Sequence, residues 1–209
     1  GVRITIFDSS NTPEMVNHSC PALAEDRDGN LWIATQEGLL RRKDGQFTGY
    51  TKADGLPDSS ISQLCASRSG GVWIGTKSGL GRFQGGKFSR FYVADGLKEN
   101  LIRSLYENRK GILIVATSKG LQQFDPVTRR FLDFAPELEL PDQQNIPLQE
   151  DQANNLWVGT DDGLHRLDGG RWTTFNTRDG LSDDSIRHIR EDRSNGLWVV
   201  TQNNSLNHF

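Results

Sequence analysis

Residues Glu25–Arg42 have the sequence EDRDGNLWIATQEGLLRR, and this stretch decides the fold because the chain repeats it. Four more copies follow: SRSGGVWIGTKSGLGRF at Ser67–Phe83, ENRKGILIVATSKGLQQF at Glu107–Phe124, EDQANNLWVGTDDGLHRL at Glu150–Leu167 and EDRSNGLWVVTQNNSLNHF at Glu191–Phe209. Each copy has a turn of small and polar residues and then an apolar run rich in β-branched and aromatic residues. This pattern indicates short strands joined by tight turns.

The repeats are aligned on one position, which holds Trp32, Trp73, Ile114, Trp157 and Trp198. Successive members are 41, 41, 43 and 41 residues apart. A threonine follows three residues later in every repeat, and a glycine three residues after that in all but the last. A period of about 40–45 residues made of strand-like segments predicts propeller blades of four strands each. Helical repeats need long stretches of 3.6-residue periodicity, and the sequence has none.

We therefore predict an all-β fold, a β-propeller of five four-stranded antiparallel blades that forms one domain over residues 1–209. Within a blade the strands are named a to d from the centre outwards. In the second repeat they are expected at Ile61–Ser67, Val72–Thr76, Leu80–Gln84 and Lys87–Tyr92, with a positive φ at Gly79. The blades are expected at 18–50, 59–92, 100–135, 144–176 and 185–209, with 3–7 added to the last.

The two ends of the sequence predict how the ring of blades closes. The fifth repeat ends after its strand c, and Ile4–Phe7 aligns with strand d of the other repeats. We expect Ile4–Phe7 to complete the last blade, because closure pairs sheet edges that are otherwise open. The alternative is that the chain is a slice of a longer array of blades.

Composition limits the classes of partner. The 209 residues are 34% hydrophobic and include 22 glycines, and the formal net charge is −3. There is no basic stripe, so nucleic acid is not expected as a partner. No run of about 18 apolar residues occurs, so no membrane insertion by this chain is expected. Cys20 and Cys65 are four residues out of register, which predicts two free, buried thiols.

The run E-D-x-x-G-x-L-W-I-G-T-x-x-G-L, followed by an outer strand and D-G-L, resembles the two-component regulator propeller repeat. It occurs at Glu25–Leu39, Ser67–Leu80, Glu150–Leu164 and Glu191–Thr201, with a weaker copy at Glu107–Leu121. The resemblance implies a periplasmic or otherwise extracytoplasmic sensor propeller of a bacterial two-component system, and the best-known members resemble carbohydrate sensors. Such sensors carry many more repeats than these five, together with a membrane span and a kinase that this chain lacks.

Common catalytic signatures are missing from the sequence. It has no G-x-S-x-G elbow, phosphate-binding loop or H-E-x-x-H motif, and its four histidines are scattered. Glu25, Glu150 and Glu191 recur at equivalent positions, which favours a structural role, because an active site is usually a unique constellation. These glutamates and the aspartates that follow them are expected to hydrogen-bond the a–b turns. No catalytic residue, metal or cofactor is expected.

Polar residues that differ between blades predict a ligand site on the face that carries the b–c turns and the d–a crossovers. The candidates are Lys77, Lys119 and Asp161 in b–c turns, Arg103, Arg187 and His188 on strand a, and His18 on a crossover. Such a set suits an anionic or polyhydroxylated ligand. The alternatives are solvated turns and, for the arginines, ion pairs with a neighbouring Glu.

Three functions compete at this stage. The first is a non-catalytic, ligand-binding signal-input propeller whose partners are a small molecule or oligosaccharide and neighbouring propeller or sensor domains. The second is a protein-interaction scaffold, for which Phe134 and the insertion at Pro136–Asp142 are the candidate contacts. The third is a polysaccharide lyase or hydrolase, for which Arg187 and His188 give thin support. We favour the first and expect the protein not to be an enzyme.

Overall fold

The computed structural model describes residues 5–8, 11–15, 20–143 and 145–209. In these residues the chain forms antiparallel β-sheets and three short 3-10 helices. The chain divides into two structural units, Gly1–Ile102 and Arg103–Phe209. Within the described ranges there is no helix long and apolar enough to traverse a membrane.

The first unit contains two four-stranded sheets whose strands lie side by side in chain order. The first sheet consists of β1 (Leu23–Glu25), β2 (Leu31–Ala34), β3 (Leu39–Lys43) and β4 (Gln46–Tyr50). The second consists of β5 (Ile61–Ala66), β6 (Val72–Thr76), β7 (Gly79–Gln84) and β8 (Lys87–Phe91). The strands predicted for the second repeat are therefore confirmed to within one residue at their ends.

The second unit contains three sheets with the same sequential order. The third sheet consists of β9 (Ser104–Glu107), β10 (Leu113–Thr117), β11 (Gly120–Asp125) and β12 (Arg130–Phe134). The fourth consists of β13 (Leu148–Glu150), β14 (Leu156–Thr160), β15 (Gly163–Asp168) and β16 (Arg171–Phe175). The fifth consists of β17 (Ile186–Glu191), β18 (Leu197–Thr201) and β19 (Leu206–His208). All pairings are antiparallel, as a meander of short connections requires.

The D-G-L crossovers form the 3-10 helices Lys52–Asp54, Val93–Asp95 and Thr177–Asp179. In the first, the Asp54 carboxylate accepts a hydrogen bond of 2.8 Å from the backbone N–H of Thr51, which caps the helix. Gly55 ends it with a φ of 115°, a conformation that glycine adopts without a Cβ penalty. Leu56 is then buried. Each residue of the tripeptide therefore has a structural role: cap, helix end and core.

Two of the repeated tryptophans pack between neighbouring sheets. In the first unit, the buried Trp32 ring lies 4.9 Å from Phe83 of the second sheet, centroid to centroid. In the second unit, Trp157 lies 5.7 Å from Phe209, which follows β19 of the fifth sheet. A large ring at each of these positions fills the space between two sheets and excludes water from it.

The all-β propeller fold with five antiparallel sheets is confirmed, but closure by Ile4–Phe7 is not. Ile4 lies outside the described residues, residues 5–8 form no strand, and the fifth sheet has three strands in the described part. The Phe7 ring instead lies 5.4 Å from Phe47 of the first sheet. Closure and a single domain over 1–209 stay predictions.

The two cysteines are free, as predicted, but the prediction that both are buried is wrong. Cys20 is exposed, because it precedes β1 and is not part of a strand. Cys65 lies in β5 and is half-buried.

Candidate functional site

A recurrent cluster of Asp, Trp and Arg, here called the Asp–Trp–Arg cluster, supports the a–b turns. In the fourth sheet, Asp151 Oδ2 accepts a hydrogen bond from Trp157 Nε1 at 2.7 Å, and Oδ1 accepts one from the backbone N–H of Asn155 at 2.8 Å. The Arg166 guanidinium lies 5.6 Å from the Trp157 ring centroid, within the range of a cation–π contact. Asp26, Trp32 and Arg41 repeat the arrangement in the first sheet.

Burial opposes ionisation of Asp151, but hydrogen bonds from Trp157 and Asn155 outweigh it and hold the pKa of Asp151 below its usual value. The balance is the same at Asp26, whose pKa is lowered by hydrogen bonds from Trp32 and Asn30. These carboxylates are charged, satisfied and structural. The role predicted for the recurring acidic residues is confirmed for both aspartates.

The recurring glutamates join neighbouring sheets. Glu150 Oε2 accepts a hydrogen bond of 2.8 Å from the backbone N–H of Arg109 in the third sheet's a–b turn. Glu191 Oε1 accepts one of 2.6 Å from the backbone N–H of Gln152 in the next a–b turn. Glu150 and Glu191 therefore each bond the a–b turn of the preceding sheet, which gives both a structural role.

The b–c turns share one backbone scaffold. Thr76 Oγ1 donates a hydrogen bond of 2.7 Å to the Gly79 carbonyl and accepts one of 3.2 Å from the Ser78 N–H. Thr160 makes the same two bonds in the fourth sheet. Gly79 has the predicted positive φ, at 141°. Because the scaffold is constant, the two residues after each threonine are free to vary at the surface.

Arg103 lies at the start of strand a in the third sheet, where its backbone N–H donates to the Ala116 carbonyl at 2.9 Å. Its side chain is only 14% exposed, and its guanidinium forms an ion pair with the 77% exposed Asp142 of the long third crossover. Arg103 Nε is buried and has no hydrogen-bond partner among the described residues. Gln143, which follows Asp142, is buried and donates through Nε2 to the Asn145 carbonyl at 2.7 Å, while its Oε1 has no partner among the described residues.

Two further predicted residues make side-chain pairs at the b–c edge of the second unit. Arg187 Nε donates a hydrogen bond to Gln202 in the b–c turn of the fifth sheet. Asp161 Oδ1 accepts one of 2.5 Å from Ser185 Oγ. The partners of Arg103 and Arg187 are thus Asp142 and Gln202, and the alternative that each pairs with a Glu is wrong.

For the remaining candidates, the described residues show no side-chain contact with these pairs. Lys119 is exposed in the third sheet's b–c turn, and His188 is exposed on β17, where the register shifts after Ile186. Lys77 belongs to the first unit and is exposed, with its backbone N–H donating to the Ser60 carbonyl at 3.1 Å. His18 lies outside the described residues.

Residues 15–37, 55–78 and 180–203 match the family model of the two component regulator propeller. Three of the five repeats thus match the two-component regulator propeller repeat. The resemblance drawn from the sequence is therefore confirmed. No curated protein matches the chain.

Solved structures support the same fold. The extracellular domain of a hybrid two component system from B. thetaiotaomicron is 22% identical, with a TM-score of 0.77 over 94% of this chain and 27% of its own. PorZ, a surface component of the type-IX secretion system of Porphyromonas gingivalis, is 15% identical, with a TM-score of 0.69 over 97% and 35%. Virginiamycin B lyase from Staphylococcus aureus is 16% identical, with a TM-score of 0.67 over 91% and 69%. The propeller repeats thus resemble both sensor domains and an enzyme, and this chain spans about a quarter of the sensor domain's length.

Proposed function

We propose that this chain is a non-catalytic, ligand-binding propeller that supplies the input signal of a two-component regulator outside the cytoplasmic membrane. The two-component regulator propeller repeats and the similarity to an extracellular sensor domain support this role. The proposal is carried by two buried polar atoms without a partner among the described residues: Arg103 Nε, just before β9, and Gln143 Oε1, next to the Asp142 that forms the ion pair with Arg103. Unsatisfied buried polar atoms are costly, and a bound ligand that satisfies them recovers that cost.

The ligand class follows from the chemistry of these atoms. One is a donor and the other an acceptor, so a hydroxyl-rich molecule such as an oligosaccharide can serve both. The cationic groups of Arg103, Lys119 and Arg187 favour a ligand that also carries a carboxylate or sulfate. Asp161 and His188 complete the proposed site in this unit. Lys77 and His18 stay separate predictions and are not part of this site.

Ligand binding would act by favouring one packing of the propeller against neighbouring propeller or sensor domains. The ligand transmits a signal only if its affinity differs between the two arrangements. The side-chain pairs Arg103–Asp142 and Arg187–Gln202 suit such a change in packing. Each arginine can exchange its present partner for a ligand group at modest cost.

The second candidate, a protein-interaction scaffold, rests on a weaker observation. Leu138 and Leu140 of the insertion are buried in the core of the second unit, and Phe134 packs against the same cluster. These side chains therefore stabilise the unit and are not a free apolar rim. The third candidate, a lyase or hydrolase, rests on fold similarity to virginiamycin B lyase alone.

The test is calorimetric titration of the chain with two oligosaccharides of equal length, one neutral and one containing uronic acids. We expect saturable binding of the acidic one, reduced at least tenfold by Arg103→Lys, since lysine keeps the charge but loses Nε and the planar guanidinium. Arg187→Ala should weaken binding as well. Lys87→Ala is the matched control, because Lys87 is an exposed cation beside the c–d turn of the second sheet. Binding that is insensitive to Arg103 and Arg187 would refute this site.

A further inference from the structure

The third sheet lacks the Asp–Trp–Arg cluster at all three of its positions. Where the fourth sheet has Asp151, Trp157 and Arg166, the third has Asn108, Ile114 and Gln123. Ile114 lies opposite Gln123 on the neighbouring strand, just as Trp157 lies opposite Arg166, so the backbone register is unchanged. The large ring, its acceptor and its stacked cation are thus missing together.

A second large ring is missing from the facing wall. In the first unit, Phe83 packs against Trp32, and Phe83 is paired across the strands with Phe88. The residue equivalent to Phe83 in the fourth sheet is Leu167, which is paired with Trp172. Ile114 and Leu167 are therefore smaller than the equivalent Trp32 and Phe83, whereas Trp172 is larger than the equivalent Phe88.

A cavity of about 200 Å³ occupies this space. Four apolar residues line it, Ile114, Phe134, Leu156 and Leu167. Four polar or charged residues, Asn108, Lys110, Glu150 and Asn154, line it as well. An apolar cavity of about 150 Å³ in another protein holds benzene, so this volume suits a slightly larger flat ring. The cavity lies entirely within the second unit.

Asn108 reverses the hydrogen-bonding character of the site. Its Oδ1 accepts from the backbone N–H groups of Lys110 at 3.0 Å and Ile112 at 2.9 Å, which fixes the orientation of the amide. The Nδ2 group therefore occupies the position at which Asp151 presents Oδ2 to an indole N–H. A donor stands where the fourth sheet has an acceptor, and the cavity thus favours a ligand that accepts a hydrogen bond.

We propose that this cavity binds a planar bicyclic aromatic compound that carries a hydrogen-bond acceptor on its ring edge. The ring takes the volume of the missing tryptophan, and the acceptor receives a hydrogen bond from Asn108 Nδ2. The neighbouring Trp172 packs against the same cluster of side chains, and its Nε1 is buried without a partner among the described residues. The site is separate from the polar residues at the b–c edge and does not depend on the oligosaccharide proposal.

Two probes of similar size distinguish the hydrogen-bonding pattern: quinoline, whose ring nitrogen accepts, and indole, whose N–H donates. In calorimetric titrations of the whole chain, we expect saturable binding of quinoline that is at least tenfold tighter than that of indole. Asn108→Asp should reverse this preference, because it restores the acceptor. Ser67→Asp, which introduces Asp at the equivalent position of the second sheet, should leave both affinities unchanged.

Filling the cavity is the second arm of the test. Ile114→Trp should abolish binding of both probes, and Leu167→Phe fills the same space from the other sheet, which guards against misfolding of either variant. No saturable binding to the wild-type chain would overturn the proposal. Binding that survives both filling variants, or a preference that Asn108→Asp leaves unaltered, would overturn it as well.

Discussion

His165 is a buried titratable residue in β15 of the fourth sheet. Its Nε2 lies 2.9 Å from Thr160 Oγ1, and its Nδ1 lies 2.9 Å from Thr174 Oγ1. Burial lowers the pKa of His165 below 6.5, although the charge of Asp162 acts in the opposite direction. The neutral imidazole thus connects the b–c turn to strand d, and the charge of Asp162 does not offset the cost of burying the charged form.

This arrangement predicts that stability declines as the pH falls from 7.5 to 5.5. The unfolded chain takes up the proton near pH 6.5, before the folded chain does, so acidification favours unfolding in this window. We expect urea midpoints to decrease across it and His165→Gln to flatten the dependence. His188→Gln changes an exposed histidine and is the control that should keep the wild-type slope. Identical slopes for wild type and His165→Gln would contradict the assignment.

The sequence could single out Arg103 and Arg187 as candidates but could not predict what they contact. Arg103 and Arg187 stand out because each opens an inner strand at the same register position of its repeat. Asp142, the partner of Arg103, comes from an irregular crossover whose path no repeat pattern describes. Comparison of the repeats predicts the backbone that they share. It cannot predict the contacts of residues that differ between repeats, because no equivalent residue in another repeat shows them.

The b–c turn of the fourth sheet requires glycine at position 163. Gly163 has a φ of 137°, and a Cβ built on it would lie 2.6 Å from the Phe175 carbonyl oxygen at the end of strand d. The turn therefore requires glycine for its backbone conformation and for the close approach of strands c and d. Gly170, in the c–d turn of the same sheet, has a φ of 86° and nothing within 4 Å of that position.

We predict that Gly163→Ala lowers the free energy of unfolding by about 3 kcal/mol or more, because strain and a backbone clash add together. Gly170→Ala carries only the cost of a left-handed conformation, about 1 kcal/mol. Urea unfolding of both variants beside the wild-type chain measures the two values. Equal losses would show that φ alone, and not the approach to Phe175, makes glycine necessary at position 163.

At the level of elements, the period predicted the strands well but missed the crossover helices. Steps of 41 or 43 residues locate every strand b, since its apolar run and threonine recur at fixed offsets. The 3-10 helices are only three residues long, too short for helical periodicity to be visible. The D-G-L tripeptide marks a crossover in the sequence. The hydrogen bonds of Asp54 with Thr51 show that it also caps a 3-10 helix.

Acid sensitivity is a property of the whole molecule, because carboxylates with lowered pKa values lie in separate sheets. Asp26 supports the first sheet, Asp151 the fourth and Asp192 the fifth. Hydrogen bonds, that from Ser194 foremost, lower the pKa of Asp192. A folded-state pKa below the unfolded value contributes stability above about pH 4, and this contribution is lost as the pH falls through the folded pKa. All three groups act in the same direction.

We therefore predict a steep loss of stability between pH 5 and pH 2.5, to which Asp151 contributes measurably. Asp151→Asn should be less stable than the wild type at pH 7, because its Nδ2 then faces the Trp157 N–H, donor against donor. Its stability should fall less on acidification, so the two curves of urea midpoint against pH converge at low pH. Trp157→Phe removes the indole donor and should cause partial convergence by an independent route. Parallel curves for wild type and Asp151→Asn would mean that the proton affinity of this carboxylate does not change on folding, and the account of acid sensitivity would then have to rest on other groups.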